Sequence, residues 1–550
     1  MTDFPLEQPP HAGDPANPSG TPATRSAASG EFDFIVCGAG SAGSVVAARL
    51  AEDPHVRVLL IEAGGSDDVP EVMTPGQWPL NLNSQRDWAF TAQPNPHLNG
   101  RAIPLNMGKV LGGGSSINVM VWARGHRNDW EHYAQESGDP GWGYEAVLAL
   151  YRRIENWQGA PDPQRRGHGG PVYVASAADP APAAHALLDA ARALDLPTFA
   201  SPNGAMMEGR GGAAYNDLIV RDGRRASIFR AYIGARESAP PNLTILTHTL
   251  VSKVLLRGTS AVGVEVIEDG VRRVYHAARE VILSLGAIQT PKLLMQSGLG
   301  PQAELQRHGI AVVQHLPGVG HNHQDHVAFG CTFEYRTPQP VRNGGSEATL
   351  YWTSDARLAL PDMFHCQLEF PVASPETAAL GVPEHGWTMF AGLAHPKSRG
   401  VLRLTGPDVG DPLAIHANTL SDPDDLRSAL ANIELCRALG GSAAFGAIVA
   451  REALPGKLRG REVEDYARNA AITYWHQCGT AKMGRDEMSV VDAQLKVYGI
   501  ERLRIADASV MPQITSGNTM APCVVIGERA ADLLKAAHRL TPVRERALEM

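Results

Sequence analysis

The chain has 550 residues, 43% hydrophobic and 19% charged, with a formal net charge of −9. That balance is ordinary for a folded protein, and the length allows about three to four domains' worth of chain. It offers no basic footprint for nucleic acid, and no run approaches the ~18 apolar residues of a membrane helix.

Residues 1–30, rich in Pro, Gly, Ala and Ser, carry no apolar h-region and no twin arginine. They read as a disordered leader, not a secretory signal. Residues 34–37 form an apolar run suited to a strand buried on both faces. Gly38-x-Gly40-x-x-Gly43 follows at once. Gly38 permits the tight turn, Gly40 lets backbone approach a pyrophosphate, and Gly43 lets helix and strand pack closely. The helix beginning "SAGSVVAARLAED" presents its N-terminus, with Ser41 and Ala42, to phosphate charge. A second apolar strand, "VRVLLIE", ends at Glu62, whose carboxylate suits ribose hydroxyls. The order strand, glycines, helix, strand and acid predicts one dinucleotide. Glu62 repels a 2′-phosphate and so disfavours NADP; the local pattern leaves FAD and NAD open.

Further on, "GKVLGGGSSIN" places Gly113, Gly114 and Ser115 in a backbone-rich loop that runs directly into apolar core sequence, the pattern of a ligand clamp. Residues 159–170 read as an exposed connection. Residues 242–280 alternate apolar and polar, which predicts antiparallel strands. "TPKLLMQSGLG" reads as a helix start with Pro291 in its first turn. Residues 327–469 are the least diagnostic, apart from an amphipathic helix capped by Asp422 or Asp424. The final "APCVVIGERAADLLKAA" predicts a helix packed on the nucleotide domain.

The run His321-Asn322-His323-Gln324-Asp325-His326 looks metal-like, but neighbouring side chains on an irregular segment rarely converge, and no metal is expected. The six cysteines lack C-x-x-C spacing, which fits buried thiols in a reducing cytoplasm. His476, in "YWHQCGT", and Asn518, in "TSGNTMAPC", are the candidate reactive pair, although spacing alone does not bring them together.

The blocks "GAGSAGSVVAARL…VLLIEAG", "GKVLGGGSSIN", "SLGAIQTPKLLMQSGLGP", "LPGVGHNHQDH", "WHQCGT", "LRIADASVMP" and "GNTMAP…IGERAADL", in this order, resemble the glucose–methanol–choline (GMC) family of flavoprotein oxidoreductases. The resemblance implies an α/β fold: a discontinuous Rossmann-like FAD-binding domain (31–170, 212–325 and 474–540) around an α+β substrate domain on an antiparallel sheet (171–211 and 326–473). It implies FAD, and oxidation of a primary alcohol to an aldehyde by hydride transfer to flavin N5. His476 matches the family's base and Asn518 its orienting partner. Asn118 resembles a position at the isoalloxazine edge, and Val251 one whose backbone meets the adenine. Ala63, Asp507, Ala508 and Thr519 fall in blocks that line the cofactor. Ile117 stands where some members carry a histidine covalently joined to the flavin, so non-covalent FAD is implied.

Ala328 stands where choline-oxidising members have a glutamate, and without it a quaternary ammonium has no evident partner, although Glu334 and Glu369 lie nearby in sequence. Trp475 resembles the aromatic wall of members that take aryl, furanic or long-chain alcohols, and His365 resembles a pocket-lining histidine. Electrons would pass to oxygen or a quinone-type acceptor, in a possible homodimer. Hydroxynitrile lyase and light-driven decarboxylase activities occur on the same scaffold and stay as alternatives.

Overall fold

Two seven-stranded sheets organise the computed structural model, which describes residues 30–541; the predicted leader lies, but for Gly30, outside the described residues. In the first sheet Gly30–Cys37 is flanked by Val58–Ile61 and Val271–Leu283, both parallel to it, and Leu243–Leu246 extends it parallel to Val58–Ile61. Residues 34–37 are fully buried, as a parallel strand covered on both faces must be. Thr249–Arg257, Ser260–Glu268 and Val271–Leu283 then pair antiparallel, and Leu503–Ile505 returns parallel to Val271–Leu283. Within the region 242–280 the last three strands pair antiparallel with one another, while its first strand and the outer edge of its last join the parallel part of the sheet.

The Ser41–Ala51 helix crosses between the first two strands, and Met520–Ala537 packs against it. A Cβ on Gly527 would lie 2.7 Å from the Ala42 carbonyl, so only glycine lets the two helices meet this closely. Glu528 locks the junction: it accepts from Arg49 (2.8 Å), Arg153 (2.6 Å) and the Tyr232 hydroxyl (2.6 Å). Burial alone would raise its carboxyl, but the two guanidiniums hold it below the ordinary value.

The second sheet is antiparallel throughout, in the order Val449–Leu454, Val327–Tyr335, Gly386–Leu393, Met363–Leu368, Ser346–Trp352 and Gly212–Tyr215, with Ile472–Thr473 also pairing with Val327–Tyr335. Gly212–Tyr215, expected on the nucleotide side of the boundary at 212, is hydrogen-bonded into this sheet. The Pro423–Gly440 helix covers one face, its first turn capped by Asp422, which accepts from the Asp424 amide (2.8 Å). The opposite face looks into a cleft shared with the first sheet.

Two local expectations change. The helix expected to start at Pro291 begins at Gly286, with Pro291 inside it. Proline removes the amide that would bond the Ala287 carbonyl, and the Thr480 hydroxyl donates to that carbonyl instead (2.6 Å). The 159–170 connection is not wholly exposed. Arg166 is buried between Glu155 (2.9 Å) and Asp217 (2.8 Å). Among the described residues no helix is long and apolar enough to cross a membrane.

Candidate active site

The cleft's nucleotide wall is built of backbone. Gly38 has φ +99°, and a Cβ there would lie 2.3 Å from the Ser284 carbonyl oxygen. Gly43 lies behind the turn, where a Cβ would meet the Gly38 carbonyl at 1.9 Å. Gly40, by contrast, faces open space. Gly113 meets it from the second glycine loop, so closely that a Cβ would come within 2.8 Å of Gly40 Cα. The first amides of the Ser41–Ala51 helix have no intrahelical acceptors, and no side chain caps them. Ser41, Ala42, Gly114 and Ser115 complete this wall. A glycine-lined cradle facing free helix amides is a donor set for a diphosphate.

Among the described residues two carboxylates line this cleft, both on this side. Glu62 accepts from the Ala39 and Gly64 amides (3.0 and 2.9 Å), and burial pushes it up to about 7 against those bonds. Asp507 accepts from the Gly286 and Ser509 amides and the Thr290 hydroxyl (2.9, 2.8 and 2.6 Å), and burial raises it too. Ala63, Ala508 and Thr519 line the same cleft. Val251 lines an adjoining cavity with Thr249 and Lys292; the two cavities share Ala63, Trp88, Phe90, Leu285 and Gln289 as lining residues.

At the other end His476 and Asn518 come together, with Asn518 Nδ2 3.4 Å from His476 Nε2. Asn518 Oδ1 is buried without a partner. His476 Nδ1 lies 2.9 Å from Nδ1 of His326, whose Nε2 lies 3.0 Å from the Ala394 carbonyl. The carbonyl only accepts, so His326 donates from Nε2 and accepts at Nδ1. His476 must then donate from Nδ1, which leaves its Nε2 lone pair facing the cleft. Burial pushes the His476 imidazole from 6.5 down to about 3, and His326 also well down, so both rings are neutral.

The turn carrying His476 is held from below. Trp475 has φ +61°, an uncommon backbone for a bulky residue. Asp325 accepts from the His476 amide (2.9 Å), the Gln477 side chain (2.9 Å) and the Thr473 hydroxyl, while Thr473 Oγ1 accepts from the Trp475 amide (2.6 Å). The metal-like run therefore divides its labour: His326 orients the imidazole and Asp325 its backbone. Both were visible in the sequence as part of a cluster, without any signal of what they face.

The substrate-side wall is apolar. Tyr474 and Trp475 directly precede His476 in the chain, Phe390 packs on Tyr474, and Cys366, the cross-strand neighbour of Phe390, lines the cleft together with Leu368 and Trp78. His365 does not line the cleft as expected. Strand side chains alternate, so Cys366 and Leu368 face the cleft while His365 points the other way, its Nδ1 3.2 Å from the Leu350 carbonyl. Ala328 does not line it either. It is fully buried in a layer with Phe364, Phe390 and Tyr474. Neither nearby glutamate substitutes: Glu334 pairs with Arg451 (2.5 Å), and Glu369 is buried against Tyr335 (3.0 Å). Asn118 and Ile117 also line the cleft, with Asn118 Nδ2 3.1 Å from Met520 Sδ, two residues beyond Asn518.

Comparison with known proteins agrees with this architecture. Two GMC oxidoreductase family profiles match residues 32–328 and 396–527. The chain is 36% identical to an oxygen-dependent choline dehydrogenase of Brucella anthropi, covering 91% of this chain and 95% of that one. It is 35% identical to an alcohol dehydrogenase [acceptor] of Pseudomonas putida, covering 92% and 95%. The crystal structure of pyridoxine 4-oxidase from Mesorbium loti superposes with a TM-score of 0.87 at 32% identity, covering 93% of this chain and all of that one. The chain belongs to the GMC oxidoreductase family. It is an FAD-dependent oxidoreductase acting on CH–OH donors, and the glycine cradle, free helix amides and two cleft carboxylates fit that cofactor.

Proposed function

We propose that this chain oxidises a neutral, apolar primary alcohol to its aldehyde, with His476 as the base and Asn518 as the orienting partner. The observation that carries the reading is the His326–His476 pair. A base must present a lone pair, and the Nδ1–Nδ1 contact of 2.9 Å commits the His476 proton to the side away from the cleft. The Asn518 amide, 3.4 Å from that lone pair, can hold the same hydroxyl without competing for its proton. Bound FAD supplies the acceptor for the hydride that leaves the carbinol carbon, at flavin N5. Gly38, Gly40 and Gly113 would admit the diphosphate, Glu62 the ribose, and Asp507 and Thr519 the flavin side. Ile117 offers no nucleophile, which supports non-covalent binding.

The substrate class follows from charge. Among the described residues the only carboxylates on the main cleft are Glu62 and Asp507, both on the nucleotide side. An aromatic wall attracts a quaternary ammonium by about 0.5–2 kcal/mol. Taking a unit charge out of water costs several kcal/mol, so without a carboxylate the cation is the poorer ligand. Oxygen or a quinone would reoxidise the cofactor. Six unpaired cysteines support a reducing cytoplasm as its location.

Anaerobic mixing of the holoenzyme with a panel of alcohols tests this. Neutral aryl or alkyl primary alcohols are expected to bleach the visible flavin band, and readmitted air or an added quinone then identifies the acceptor. A band that no alcohol bleaches would contradict the proposal.

A further inference from the structure

Arg225 lies behind the glycine loop with its charge uncompensated. The residue is 1% exposed. Its Nε donates to the Val72 carbonyl (2.8 Å), and its Nη1 to the Ser115 carbonyl (3.2 Å) and to Asn118 Oδ1 (2.7 Å). Nη2 has no partner. All three acceptors are neutral, and no carboxylate pairs with it among the described residues. Other buried arginines here are paired: Arg124 and Arg166 with Glu155, Arg504 with Glu280. Burial pushes the Arg225 guanidinium down to about 9, still above neutral pH, so it remains a cation.

Its contacts are with the cleft wall. Ser115 and Asn118 line the main cleft, which no lysine or arginine lines among the described residues. Asn118 Oδ1 also accepts from the Met120 amide (3.0 Å). With its carbonyl end taken twice, Asn118 has only its NH2 left to offer, and this lies 3.1 Å from Met520 Sδ, two residues beyond Asn518. The guanidinium thus fixes which end of Asn118 is a donor, at the reacting end of the cleft. A neutral donor would do the same structural task without burying an unpaired charge.

We propose that Arg225 is a positioning and charge-setting residue for the cofactor: one side chain behind the Ser115–Asn118 wall, it stabilises the negative charge the flavin gains on reduction and holds Asn118 as a donor toward it. This rests on the FAD reading of the cleft. Reduction takes two electrons and, with the cation nearby, one proton from solvent, leaving the bound cofactor one unit more negative.

The test uses holoenzyme of wild type, R225K and R225Q, titrated with dithionite against a reference dye, with FAD content measured alongside. R225Q keeps a donor for Asn118 but no charge. Its flavin potential is expected to fall and its affinity for sulfite, an anion that bleaches oxidised flavin, to weaken about tenfold or more. R225K is expected to stay near wild type on both. R225Q that retains FAD with unchanged potential, or R225K shifted as far as R225Q, would overturn the proposal. Should R225Q not hold FAD, wild type alone decides: near neutral pH its potential should change with the slope of one proton per two electrons, and a two-proton slope would overturn the assignment. A wild-type chain that takes up no FAD at all fails differently, and would sink the cofactor reading beneath it.

Discussion

The two walls of the cleft are built by different means. The nucleotide wall uses backbone: glycines at 38, 40 and 113, free helix amides, and two carboxylates already bonded to amides. The substrate wall uses side chains from alternate positions of antiparallel strands, such as Cys366, Leu368 and Phe390. A backbone wall has one shape, which substitution breaks but does not retune. A side-chain wall can be exchanged residue by residue while the sheet beneath it stays. The first can therefore be common to relatives with different substrates, and the second is where they can diverge.

The hinge between the walls is His476, and its loss should give the largest effect. His476→Ala is expected to lower alcohol oxidation by about 10²–10⁴, with FAD still bound, as measured by single-turnover flavin bleaching. Loss of FAD instead would make His476 part of the nucleotide wall. His326→Ala should cost roughly 10- to 100-fold, because the imidazole loses the partner that fixes its tautomer while its backbone stays pinned by Asp325. An unchanged turnover rate would show that the ring needs no such partner.

A smaller effect separates sequence position from cleft position. Ala328→Glu should not create choline oxidation, because Ala328 lies in the buried aromatic layer and not on the cleft. It should instead lower the melting temperature, by the cost of burying a carboxyl without a partner, about 1–3 kcal/mol or more. Choline turnover by this variant would mean that the layer opens.

The smallest expected effect is a flat one. His476 is pushed from 6.5 to about 3 by burial, so the neutral, active form persists as pH falls from 8 through 6.5 and is lost only toward 3. Protonation of this base should therefore give no drop in kcat/KM near pH 6.5. A drop there that His476→Gln abolishes would place the titration on this ring.

The same contrast decides what could be read from the chain. Gly38, Gly40, Gly43 and Glu62 lie within one strand–helix–strand unit, so spacing alone carried their geometry. The Asp422 cap was legible for the same reason. His365 and Ala328 were not, because strand register decides which face a side chain takes, and a one-residue offset reverses it. The Gly286–Gln296 helix was misplaced because Thr480, almost two hundred residues away, satisfies the carbonyl that Pro291 leaves free. His326 and Asp325 stood out only as charge-rich neighbours; their partners come from residues 473–477 and from Ala394. Arg225 carried no local signal at all.

The most direct test of the account sets choline against its neutral carbon isostere, in which a tert-butyl group replaces the trimethylammonium. Under anaerobic conditions both present the same shape and the same primary hydroxyl to the holoenzyme. Faster flavin bleaching by the isostere is the predicted result, since the substrate wall offers apolar surface and no carboxylate. Faster bleaching by choline would contradict it.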